Sequence, residues 1–167
     1  MKTNKRRIIL VAVAMVLMCC FAMTGCGTDD IDISSYAKEK IVLSGIEDKD
    51  ITVTVADLKA MDCKTVKAES TSDKIGEVKA TGVEMDTLLA QYGVSKADFK
   101  KVVFTGTDQY DVKLLNDYIT ENDIYLTFGI NGEPLDEESV PCRVIIPDSD
   151  SAYWIRMVDR IEFVNVH

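Results

Sequence analysis

Histidine is all but missing from this chain: the one residue of that type, His167, is the last. A frayed terminal imidazole cannot serve a buried Ser-His or Cys-His dyad, so hydrolysis of that kind is excluded. Neither Cys-x-x-Cys nor His-x-x-x-His spacing occurs, which removes the usual zinc sites. Only nine glycines are present, and they form no loop that cradles phosphate. Gly25-Cys26-Gly27 lacks both the spacing and the following basic residue. Asp148-Ser149-Asp150 begins like a calcium loop, but Tyr153 stands at the glycine position and no glutamate closes it. Acidic clusters such as Glu47/Asp48/Asp50 and Asp136/Glu137/Glu138 read as solvated faces, because 28 acids against 19 bases produce them without function.

Long apolar runs are scarce as well. The longest, Ile8 to Met23, is sixteen residues, short of the ~20 that span a bilayer. It follows Lys2, Lys5, Arg6 and Arg7 and ends in Ala22-Met23-Thr24-Gly25-Cys26. A basic head, an apolar middle and small residues before a cut are the parts of a secretory signal. The ending resembles a bacterial lipobox, which implies acylation of Cys26 and a mature protein tethered to the outer face of the cell membrane. Residues 1–25 are thus read as a signal peptide. Arg6-Arg7 contains the minimal twin-arginine pattern without its usual neighbours, and is read as a generic basic head.

Loss of residues 1–25 leaves 15 basic against 28 acidic side chains, a balance of −13. Such a surface repels phosphate backbones, so nucleic acid is not an expected partner. Residues 26–40 read as a polar tether, and 41–167 as one domain. Two cysteines remain beyond Cys26. Cys63 and Cys142 could pair outside the cytoplasm, but read more simply as small buried hydrophobes.

From Ile41 the texture is that of short strands. Ile41-Val42-Leu43 and the alternating Ile51 to Val55 flank a turn-rich stretch. Thr54 with Asp57 marks a helix start that runs through Leu58 and Met61. Val66 to Ala68 and Val78 to Ala80 are strand candidates about a turn at Ser72 to Gly76. Met85, Leu88, Leu89 and Tyr92 have helical spacing, and Gly93 suits the C-terminal cap. Ser95 with Asp98 begins a further helical turn. Val102 to Phe104, Ile124 to Ile130, Val144 to Ile146 and Ile161 to Val166 complete the strands. Asn131-Gly132 is a hairpin turn, since both residues tolerate positive φ. Many short strands with a few short helices predict an α+β fold, a β-rich single domain of mixed sheets.

The order of several segments resembles the molybdopterin-binding domain of sulfite-oxidase-type oxidoreductases. Val42-Leu43-Ser44-Gly45-Ile46, Ile51 to Val55 and Asp57-Leu58 look like that family's first strand pair and "DL" helix. Thr81 to Leu89 is similar to its "x-Gly-Val-x-Leu-x-x-Leu-Leu" segment, followed by Tyr92-Gly93-Val94. Asp108-Gln109-Tyr110 stands where the family has Asp-Gly-Tyr. Asn131 to Leu135 resembles its hairpin, Pro141 to Pro147 its "Pro-x-Arg-x-x-x-Pro" strand, and Trp154-Ile155 with Arg160-Ile161-Glu162 its closing motif. The likeness spans about residues 41–166.

The resemblance implies a pocket near Asp108, Tyr110, Arg143 and Trp154, which are the expected ligand-binding residues. It also implies a cysteine thiolate on molybdenum, a soft donor for such a metal. That ligand aligns nearer Ser70 or Thr71 than Cys63, and the glycine- and arginine-rich surroundings of the enzymes are absent. The expectation is therefore a non-catalytic, lipid-anchored extracytoplasmic domain without a bound cofactor, taking a small ligand or a protein partner. The alternative is an active molybdopterin-dependent oxidoreductase with Cys63 as the metal ligand.

Overall fold

A computed structural model describes residues 30–72 and 76–165. The signal peptide, Cys26, three residues of the turn expected at Ser72 to Gly76, and His167 lie outside the described residues. The elements run β1 (Lys40–Ser44), β2 (Ile51–Thr54), α1 (Val55–Lys59), β3 (Cys63–Ala68), β4 (Val78–Glu84), α2 (Met85–Ala90), β5 (Phe99–Gly106) and β6 (Asp111–Leu115). They continue with α3 (Asn116–Glu121), β7 (Tyr125–Ile130), β8 (Glu133–Pro134), β9 (Arg143–Ile145) and β10 (Val158–Asn165), with 3-10 turns at Lys96–Asp98 and Ser151–Tyr153.

These strands make two sheets, ordered β2-β1-β10-β5-β6 and β3-β4-β7-β8, with β9 also paired to β7. The β1–β10 pair is parallel and the other pairs are antiparallel. This is the β-rich α+β domain of mixed sheets that the strand pattern predicts. Ile41 and Leu43 of β1, Val112 and Leu114 of β6, and Ile161 and Phe163 of β10 turn inward at alternate positions. Strand β7 is buried from Tyr125 to Gly129, as befits the middle of a sheet covered on both faces.

Local chemistry fixes the element ends. Thr54 Oγ1 accepts from Asp57 N at 3.1 Å while Asp57 Oδ2 accepts from Thr54 N at 2.7 Å, the reciprocal capping box that starts α1. Helix α2 stops at Ala90, earlier than the spacing out to Tyr92 predicts. Gly93 takes φ 70°, and Val94 N reaches back to Leu89 O at 3.3 Å, so a left-handed cap ends the helix. Asn131 and Gly132 both have positive φ, as the turn between β7 and β8 requires.

The expected polar tether over 26–40 is corrected from Ile31 onward. Ile31, Ile33 and Tyr36 are buried in the main core. The Tyr36 hydroxyl donates to Phe128 O and accepts from Leu135 N at 3.0 Å. The carbonyls of Ala37 and Glu39 accept from Ala56 N and Val55 N, so this segment also caps α1. Its many Asp and Ser residues hide three apolar side chains that pay for its order.

Candidate functional site

Segments that follow strands meet at one side of the molecule around a cleft of about 570 Å³. Beyond β5, Gln109 N donates to Gly106 O, and Tyr110 N to Asp108 Oδ1 at 3.0 Å, a tight turn with Gln109 at φ 68°. Thr107 N bonds Met157 O at 2.9 Å, joining that turn to the segment before β10. Val144 N bonds Ile155 O and Val158 N bonds Cys142 O, each at 2.8 Å, so residues 154–157 lie alongside β9. Met157 has φ 58° and Asp148 φ 56°. Left-handed backbone at a non-glycine residue has a conformational cost and concentrates at functional loops.

The four residues expected at a pocket, Asp108, Tyr110, Arg143 and Trp154, all line this one cleft. Their settings differ. Tyr110 is 55% exposed at the rim. Trp154 is 4% exposed, and its Nε1 donates to Ile146 O at 2.8 Å, so its indole N–H is spent on the backbone. It packs with Ala68, Ala80 and Ile145, which fastens the cleft wall to β3, β4 and β9. Arg143 starts β9, where Thr127 Oγ1 donates to its carbonyl at 2.8 Å. Its Nε is buried with no hydrogen-bond partner. Burial pulls the guanidinium below its ordinary range; nearby Arg156 adds to this and Asp136 opposes it.

Asp136 and Arg156 complete the charged lining. The sequence reading takes Asp136 as part of a solvated acidic face and does not single out Arg156; the structure puts both in the lining. Arg156 stands two residues from Trp154, an offset that shares a face in extended chain, and that was the available signal. Arg156 Nη1 lies 3.2 Å from Glu138 Oε2 in an exposed pair. The formal charges of the lining thus cancel, with two arginines against two aspartates.

Cys63 is not among the lining residues. It opens β3 and its Sγ lies 3.4 Å from Leu58 O, against the end of α1. The opposite end of β3 leads to Ser70, whose backbone bridges Ser149, while Thr71 N donates to Ser149 O at 3.0 Å. Seven residues of extended chain separate Cys63 from Ser70, on the order of 23 Å. Hence Ser70 and Thr71 sit beside the loop that enters the cleft, and Cys63 does not. Cys142 is fully buried, and burial pushes its thiol up to about 12. The two cysteines are not bonded to each other.

A second cavity of about 350 Å³, bordered by Tyr36, Glu39, Leu135 and Glu137, carries acids and no cation. No group of three or more His, Cys, Asp or Glu side chains suited to a metal ion occurs among the described residues.

Among solved structures, the sulfane dehydrogenase SoxCD from Paracoccus pantotrophus aligns with a TM-score of 0.62 and 21% sequence identity. The match covers 75% of this chain and 38% of that one, so this chain spans well under half the length of its structural relative. At that identity the likeness bears on the fold alone. No curated protein matches the chain. The family model described as "Oxidoreductase molybdopterin binding domain" matches residues 30–167, from the start of the packed segment before β1 to the last residue. With the sheet order, the motif order and that match in agreement, the chain belongs to the oxidoreductase molybdopterin-binding domain family.

Proposed function

We propose that this chain is a lipid-anchored, extracytoplasmic member of its family that binds a small ligand in the cleft and carries out no molybdenum chemistry. Molybdopterin makes two demands on a protein: donors for its phosphate, and the thiolate that the resemblance implies for the metal. Arg143 and Arg156, on the cleft wall, suit the first. The second is unmet. Cys63 lies at the far end of β3, Cys142 is buried with its thiol held neutral, and Ser70 and Thr71, where the resemblance implies the ligand, carry hydroxyls and no thiol. The residues present therefore fit an anion and do not fit the metal. The observation that carries the reading is that, among the described residues, no thiol lines the cleft.

Metal analysis of the protein purified from its native host tests this directly. The expected result is far less than one molybdenum or tungsten per chain. One equivalent of either metal, lost on Cys63→Ser, makes the protein an oxidoreductase and overturns the reading. The anchor rests on the lipobox-like ending at Cys26. A Cys26→Ser variant should lose palmitate labelling and leave the membrane fraction; labelling that persists there refutes acylation at this residue.

A further inference from the structure

Charge is spread unevenly over this chain. The five-stranded sheet turns Ile41, Leu43, Val102, Phe104 and Ile161 into the core. Its other face carries Lys40, Lys101, Lys113 and Arg160 against Asp111 and Glu162. Beyond residue 25 the chain has 15 basic and 28 acidic side chains, so this face reverses the balance of the molecule. Arg160 meets Asp50, just before edge strand β2, at 3.6 Å in an exposed and therefore screened pair. Lys40, Lys101 and Lys113 form no ion pair among the described residues.

Apolar side chains stand between these cations. The strand registers set Lys101 beside both Val164 and Leu115, Lys113 beside Val103, and Arg160 beside Val42. Leu115, at 63%, is the most exposed large apolar side chain among the described residues. The face is five strands across, about 19 Å at the usual strand spacing. None of these residues lines either cavity, so the face suits a flat partner and not a small molecule. Basic and apolar side chains on one broad face match an anionic bilayer: headgroup charge answers the lysines, and the apolar groups enter the headgroup boundary.

Position favours a membrane over an acidic protein. Lys40 pairs with Thr54, which starts α1. Helix α1 is about 8 Å long at the helical rise, and it ends at Lys59, whose Nζ lies 3.3 Å from Asp30 Oδ1. Asp30 stands four residues after Cys26. The basic face thus begins one short helix from the anchored end of the chain. An acidic domain held at a negatively charged surface is repelled by it, and turning this face inward lowers the repulsion.

Resting on the reading of Cys26 as acylated, we propose that the outer face of the β2-β1-β10-β5-β6 sheet lies on anionic phospholipid. The acyl chain supplies the attachment and the face supplies the orientation.

Full-length acylated protein is incorporated into vesicles of phosphatidylcholine, with or without phosphatidylglycerol. A fluorophore is attached at Thr52→Cys, exposed on the face, or at Glu69→Cys, exposed beyond β3 of the other sheet. Cys63 and Cys142 are buried and do not compete for the label. Quenching by spin-labelled lipid reads how near each position lies to the bilayer. With phosphatidylglycerol present, position 52 should be quenched at least about threefold more than position 69. The difference should vanish in phosphatidylcholine alone and in about 1 M sodium chloride, where the Debye length is about 3 Å. Lys101→Glu combined with Lys113→Glu should remove it while the protein stays in the vesicles. Equal quenching of the two positions with phosphatidylglycerol, or a preference indifferent to salt and lipid charge, overturns the proposal. So does a face that cross-links to an envelope protein and is not quenched by lipid, the mark of an acidic protein partner. Should the double variant not fold, the dependence on salt and lipid charge still decides. The mass of the acyl group, measured on the same sample, keeps the two readings apart. Acylated protein without the preference overturns the sheet face alone; protein without an acyl chain overturns the anchor, and the orientation with it.

Discussion

Tyr36 joins three stretches of chain through one oxygen. Its hydroxyl donates to Phe128 O on β7 and accepts from Leu135 N beyond the β7–β8 hairpin, while its ring lies in the core. Tyr36→Phe keeps the ring and leaves a buried carbonyl and a buried N–H unanswered. The expected loss is about 1–3 kcal/mol in urea unfolding, with the slope of the transition unchanged. Cys142 carries a prediction about pH. Burial raises its thiol from 9.0 to about 12, so the folded state holds a proton that the unfolded state releases earlier. That contribution is fully present below pH 9.0 and is lost as pH rises towards about 12. Cys142→Ala should flatten the fall in thermal midpoint across that alkaline window, and an equally steep fall in the variant would reject the assignment.

Elements with dense local signals were readable in the sequence. The capping box at Thr54 and Asp57, the one at Ser95 and Asp98, and the Asn131-Gly132 turn all stand where residue chemistry requires them. Strand β6 and helix α3 were not readable, and the reasons are physical. Strand β6 has only Val112 and Leu114 facing inward, and the 63% exposed Leu115 blurs the alternation. Helix α3 is six residues long and buries Ile119 alone, which leaves no 3.6-residue period to detect. Gly82 of β4 shows what tertiary contact adds: a methyl group there would run into the backbone of Leu126 and Thr127 on β7. Gly82→Ala should therefore cost about 3 kcal/mol. A thermal midpoint like that of the wild type would mean that β4 can move away from β7.

At the scale of the molecule, the site was legible where motif and strand end coincide. Asp108, Tyr110, Arg143 and Trp154 lie far apart in sequence and line a single cleft. Asp136 reads as one of a solvated acidic cluster and Arg156 belongs to no recognisable motif; the return of residues 154–157 alongside β9 is what brings Arg156 to the cleft. The start of the domain was misplaced for the opposite reason: a polar composition masked Ile31, Ile33 and Tyr36, three buried anchors in a stretch of Asp and Ser. Deleting residues 27–38 should thus lower the thermal midpoint by more than about 10 °C, since several buried side chains go with it. A midpoint within a few degrees of the full chain would restore the whole stretch to the role of linker.

The packing of Ile31 against Gly129 also sets a length. With Cys26 seated in the lipid as proposed, the five links from Cys26 to Ile31 can stretch to at most about 17 Å. Fully stretched, that leash is about twice the Debye length of about 8 Å at physiological salt. On that proposal Asp30 and Lys59, paired where the chain enters the fold, would stay within about 20 Å of the membrane surface. So short a tether would favour approach of a macromolecular partner from the flanks or from the far pole.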